Sequence, residues 1–413
     1  MFRKFWLDTI VGTLFIFGII GLFFNVSQLK IFDVFDPLGD AFADMETTDI
    51  VFSQMRDRPD ADENILLVNI GNMPRAGIAE MIRIVNQYKP KVIGMDTFYY
   101  SPKDSIGDAF LEDAFRGVDN LVLVSKLWYN EESDAIDSLV TSMPRFTQHA
   151  DMGLASLITG AETQEDLKVC RSFNPKEPVN GDMQYAFSVK LAGYMDPERT
   201  KKFLARNNTI EKINYRGNVL DYGATKYGTR YFALDVEDVF NENFVPEVIE
   251  GKIVIFCFLG SYLGDRVASE DKFFTPLNKT YAGKAALDMF GGVIHANIIS
   301  MILNEDYIDE MSETSAWIWA IIACYINVLV FSLIYKRIPR WYDGITKLIQ
   351  LIQLMVLNFM VLIIFDSYNY TLHLTYVLVV IALSGDSLEV YYGVVKNTFT
   401  REGRRELRKI NKL

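Results

Sequence analysis

The chain has 413 residues, half of them hydrophobic, and its 41 Lys and Arg against 53 Asp and Glu give a formal net charge of −12. That length accommodates two or three domains. The acidic excess falls in the stretch from Lys30 to Ser315, which excludes a phosphate-backbone or nucleic-acid binder, since such a site needs a basic face.

The first element is an apolar run from Leu7 to Phe24, preceded by Arg3 and Lys4. No small-x-small cleavage site follows it, so residues 7–25 read as an uncleaved transmembrane anchor rather than a signal peptide. Residues 30–315 then have globular composition. In order come "ILLVNI" (Ile65–Ile70), a helical pattern from Ala76 to Tyr88, "KVIGMDTF" (Lys91–Phe98), a helix from Ile106 to Arg116 and "NLVLVSKLW" (Asn120–Trp128). The stretch from Asp151 to Arg206 has a weak pattern and reads as an insertion or subdomain. "IEKINYRG" (Ile210–Gly217) and "GKIVIFCFLGS" (Gly251–Ser261) read as further strands, and Gly292–Leu303 as a helix. Continuous apolar strands separated by helices predict an α/β domain with a mainly parallel sheet covered on both faces.

Three more membrane-length runs fill residues 316–395: Ala316–Tyr335, Leu348–Phe365 and Leu372–Val395, each near the ~20 residues needed to cross a bilayer. Lys336, Arg337, Arg340 and Lys347 lie between the first two, and residues 396–413 form a basic tail, whereas the loop "DSYNYT" has no Lys or Arg. This asymmetry predicts both termini in the cytoplasm and the large domain outside. The tail is explained by topology alone; lipid binding or docking of an acidic protein are the other readings. The fold class is therefore an integral membrane protein with one N-terminal and three C-terminal transmembrane helices around an extracytoplasmic α/β domain.

The second half of the domain carries a distinctive series: Gly260, Asp265, Thr275-Pro276, Gly292-Val293 and His295-Ala296-Asn297. With "ENILLVNIG", "KPKVIGMDTFYYSP" and "INYRG" before it, this series resembles the type-2 CHASE domains, sensory modules held outside the cytoplasm and associated with cyclases and histidine kinases. The resemblance covers nearly the whole chain and implies one helix, a sensory domain and then three helices, in the cell (inner) membrane of a bacterium with the domain periplasmic or extracellular. It also implies a ligand and a signalling partner. Two features depart from it. Gly71-Asn72 and Pro74-Arg75 stand where the family often has an Asp pair and a Trp-Pro-x-x-Arg turn. The sequence also stops after the tail, so the output is expected in a separate chain.

In open α/β sheets ligands bind beyond the carboxyl ends of the strands, which puts Asn69, Asp96, Ser125, Ser261 and Asp265 on the rim. His295 and Asn297 open a helix, where free N–H groups receive polar ligands. Asp96, Asp265, His295 and Asn297 are thus the candidate ligand-binding residues. The competing reading has Asp265 closing a turn, Asn297 capping or packing, and His295 making a buried hydrogen bond. No metal site or cofactor is expected. Cys170, Cys257 and Cys324 lack metal-ligand spacing and imply no disulfide framework, with a single Cys170–Cys257 bridge left open. With three histidines and neither a nucleophile elbow nor a phosphate loop, no enzyme is expected.

Asp386 and Glu389 share a face of the last membrane helix. They read either as intramembrane coupling groups or as interfacial carboxylates paired with basic loop residues. Gln350, Gln353 and Asn358 read as interhelical hydrogen-bond glue. The expected function is a membrane-bound sensor that detects an extracytoplasmic signal and relays it through its helices to a protein partner in the membrane or cytoplasm. The alternative is a non-catalytic envelope scaffold.

Overall fold

The computed structural model describes residues 2–27, 46–56, 60–130, 135–159, 169–220, 230–279 and 286–396. The basic tail expected at 396–413 lies outside these residues, apart from its first position. The chain divides into two compact units: Asp44–Ile308, and Met1–Ala43 together with Asp309–Leu413.

The second of these opens with α1 (Phe2–Ser27). The first is built on seven strands: β1 (Asp62–Asn69), β2 (Val92–Met95), β3 (Leu121–Asn130), β4 (Ala135–Val140), β5 (Asp151–Leu154), β6 (Tyr231–Leu234) and β7 (Ile253–Cys257). Their order is β6–β1–β7–β2–β3–β4, with β5 also paired to β3. Every pair is parallel except β3–β4. Burial is nearly continuous along β1, β2 and β7 because both faces of the sheet are covered.

One face packs against α2 (Arg75–Gln87) and α3 (Ser105–Arg116), whose Ile78, Ile82, Leu111 and Phe115 join Ile93, Met95, Val254 and Phe256 in one cluster. The other face carries α4 (Phe187–Met195) and α6 (Gly291–Leu303), while the short α5 (Val236–Phe240), before β7, packs on the α2 side through Val239. Gly94 makes the α4 contact possible: a Cβ there would lie 2.7 Å from Phe187 Cζ and 2.8 Å from Leu191 Cδ1. The stretch 151–206 is therefore part of the main architecture, supplying one strand and one covering helix.

Ile210–Gly217 is not a strand of the main sheet; its first residues belong to a small three-stranded one. Only Glu211–Lys212 pairs, antiparallel with Ser172–Phe173, and the edge position falls to β6. Its run of four apolar residues, Tyr231–Leu234, is short for a strand and leaves Phe232 outward at the edge, so the sequence pattern passes it over. The three cysteines are free and buried, so no Cys170–Cys257 bridge forms.

The other unit contains α7 (Glu313–Arg337), α8 (Tyr342–Tyr368) and α9 (Thr375–Val390). The segments Glu313–Arg337, Pro339–Tyr368 and Thr375–Val395 are each long and apolar enough to cross a membrane. The expected N-terminal span is not among them. The apolar part of α1 is Thr9–Gly21, about 20 Å of helix against a core of about 30 Å. Even so, α1 packs with the other helices: Ile16 and Ile20 are buried in the same cluster as Val328 and Leu388.

Candidate functional site

The carboxyl edge of the sheet is tied together by Asn69, which is fully buried at the end of β1. Its Oδ1 accepts from the Gly71 and Leu259 N–H groups, and its Nδ2 donates to Asp235 and to the Gly260 carbonyl. This joins the loops after β1, β6 and β7.

Asp265 closes the turn after β7. It accepts from the Ser261, Val267 and Ala268 amides, and these backbone bonds, led by Val267, hold its carboxyl below the usual range. The Thr-Pro element is fixed from below. Asp288 is fully buried and accepts from the Thr275 N–H at 2.9 Å, its hydroxyl at 2.5 Å and the Asn278 amide at 3.1 Å. Burial still pushes it up to about 7.

His295 and Asn297 sit in the first turns of α6 and are both buried. His295 Nδ1 lies 2.7 Å from Ser188 Oγ, and its ring meets Phe187 edge-on at 5.1 Å. Burial lowers its pKa to about 4, so the ring is neutral. Asn297 Oδ1 accepts from the Arg216 and Gly217 amides, and its Nδ2 donates to the Gly217 and Val293 carbonyls. It clamps "INYRG" in place of a strand ladder. Asn297→Leu is expected to orphan these buried backbone groups and cost about 2–4 kcal/mol, read as a lowered unfolding midpoint; an unchanged midpoint would refute the clamp.

Asp96 has a different environment. It follows β2, where its N–H donates to the Phe256 carbonyl, and its side chain faces the start of α6. There Gly291 and Gly292 form the first helical positions. A Cβ on Gly292 would lie 2.4 Å from Cys257 Sγ and 3.7 Å from Asp96 Oδ2, and one on Gly291 would lie 2.9 Å from Asp271 Oδ1. The paired glycines thus make room for two carboxylates and a buried thiol against a helix N-terminus, where the free N–H groups and dipole favour negative charge. Burial raises Asp96 to about 7. Asp271 is exposed as a residue, but its carboxyl is turned in against this turn. Burial and then the charge of Asp96 raise it well above the usual range. Two such groups ionise reluctantly together.

The structure therefore gives the four candidates separate partners: Asp96 faces Asp271, Asp265 its own turn, His295 Ser188, and Asn297 the 216–217 backbone. Asp271 and Cys257 were not foreseen; the doubled glycine at a helix start is the sequence signal that marks them. Among the described residues no group of three or more His, Cys, Asp or Glu could hold a metal ion. Ser261 Oγ accepts from the Asn72 amide, and Ser125 Oγ is buried without a partner.

In the membrane-helix unit, Asp386 pairs with Lys347 of α8, and Glu389 is exposed. Gln350 donates to the Ile381 carbonyl and Gln353 to Asn327, but Asn358 bonds back to Leu354 within its own helix.

The chain thus combines an α/β domain, with two carboxylates at the start of its last helix, and three helices long and apolar enough to cross a membrane. The CHASE2 domain model matches residues 14–335, and the chain belongs to that family of extracytoplasmic sensory domains. No curated protein and no solved structure matches it.

Proposed function

We propose that this chain is a multi-pass membrane receptor that detects an extracytoplasmic signal and relays it through its helices to a separate protein partner. One observation carries the reading. The carboxylate site lies at the first turn of α6, and the chain leaving α6 runs through residues 304–312 into α7, the first candidate span. A ligand or proton that reseats α6 can bias the helices that follow, provided it binds two arrangements with different affinity. In this reading α1 is a fourth span, both termini are cytoplasmic, the domain faces the periplasm or exterior, and the chain has no reaction of its own. The burial of Ile16 and Ile20 among the other helices supports α1 as part of the bundle.

Cysteine pairs placed on α7 and α9 of the full chain test the relay. Asp96→Asn and Asp271→Asn are expected to change their crosslinking rates, while the remote Glu198→Gln leaves them unaltered. Identical rates in all variants would overturn the relay. An impermeant maleimide is expected to label cysteines at 369–371 and not at 339–341.

A further inference from the structure

The unit Asp44–Ile308 has two chain ends. The first is the helical segment Thr47–Met55, wound as a wide π-helix from Val51 onward. The second is the stretch 303–308 that leaves α6. Side chains from Arg171 and from residues 206–216 grip both. Arg171 donates to the two carboxylate oxygens of Asp49 at 2.6 and 3.1 Å, and Lys212 donates to Glu46 at 3.3 Å. At the second end Arg206 donates to the Ile308 carbonyl at 3.3 Å, and Arg216 pairs with Asp306.

Asn214 joins the two grips. It is fully buried, and its Oδ1 accepts from Arg56, which is itself only 5% exposed and lies over the Phe52 ring at 4.4 Å. Its Nδ2 donates to the Asp306 carbonyl at 2.9 Å, and its backbone N–H to Met301 Sδ of α6 at 3.4 Å. One amide therefore satisfies a buried cation from the first end and a backbone carbonyl from the second. Away from water, neither partner is given up without leaving a polar group unpaired. The residue type matters, because an amide both accepts and donates. An aspartate would keep Arg56 paired but has no hydrogen to give the Asp306 carbonyl.

We infer that Asn214 is a positioning residue that couples the two ends of the sensory domain, so that loosening one loosens the other. This deepens the receptor reading, on which only its signalling consequence rests: movement of α6 reaches the chain leading back to α1 as well as the chain leading on to α7.

Hydrogen exchange of the full chain in detergent, read by mass spectrometry, tests the coupling. Asp49→Asn weakens the first end, and is expected to raise exchange about fivefold at 47–56 and also at 304–308, roughly the effect of one lost hydrogen bond. With Asn214→Asp added, the rise from Asp49→Asn is confined to 47–56. Coupling is reciprocal. Arg199→Gln, which removes a donor to the Leu303 carbonyl at the second end, is thus expected to raise exchange at 47–56 only while Asn214 is present. A far end that never responds, or that responds equally with and without Asn214, would overturn the coupling. The amides of β1 and β7 report on the fold. Should Asn214→Asp expose them, Arg56→Gln breaks the link from its other side, and the same loss of the far-end response is required. If Asp96→Asn still alters crosslinking between α7 and α9 while the two ends exchange independently, the relay stands and this coupling alone fails.

Discussion

Replacing Asp108 with alanine is expected to destabilise the sensory domain by about 3–5 kcal/mol. Arg75 is the first residue of α2, and its guanidinium pairs with Asp108 of α3 with side chains only 9% and 2% exposed. The same guanidinium donates to the Ser101 carbonyl at 2.8 Å and lies over the rings of Tyr99 and Phe146 at 5.3 and 5.7 Å. Burial pushes the Asp108 carboxyl up, but hydrogen bonding and charge from Arg75 outweigh it and leave the pKa below the usual range. Removing the carboxylate strands a buried cation between two aromatic rings. Removing both charges, in Arg75→Met with Asp108→Leu, is expected to restore most of the stability, since an apolar pair of similar volume has no desolvation cost. Pulse proteolysis of the full chain in detergent would measure both. A double variant no more stable than Asp108→Ala would show that the loss has another origin.

The second large effect is on the pH dependence of stability. Asp96 moves from an ordinary value of 3.8 to about 7 through burial, so the folded state holds a proton that the unfolded chain releases. Its contribution is fully present below pH 3.8 and is lost as pH rises through about 7, by up to about 4 kcal/mol. Asp271 shifts in the same direction and Asp288 also reaches about 7, so the wild-type slope is shared among them. Asp96→Asn cannot acquire the charge. It is expected to flatten the decline between pH 4 and 7 and to be more stable than wild type at pH 8, whereas parallel curves for the two proteins would refute the assignment.

Hydrophobic periodicity carried much of the architecture. "ILLVNI", "KVIGM" and "KIVIFC" are runs whose burial on both faces follows from their composition, and they became the central parallel strands. The "TP…GGVIHAN" series identified the domain because it lies close together in the chain. β6 escaped because its apolar run is only four residues long, and Ile210–Gly217 misled because only Glu211–Lys212 pairs with a strand while the Asn297 side chain holds the 216–217 backbone.

The site was legible only in part. Asp96 stands at a strand end, a place the sequence can point to. Its partner Asp271 is 175 positions away and reaches it only when β7, the loop after it and α6 are folded. Likewise, Asp386 and Glu389 share a helix face in any reading of the sequence, but Lys347 chooses between them only after α8 packs on α9. The sequence by itself determined the three C-terminal membrane-length helices and the family, because hydropathy and local motifs are properties of contiguous residues. Only the tertiary structure decided which carboxylates face each other and which residues of α1 are buried among the other helices. Burial and charge proximity are set by packing between segments distant in the chain.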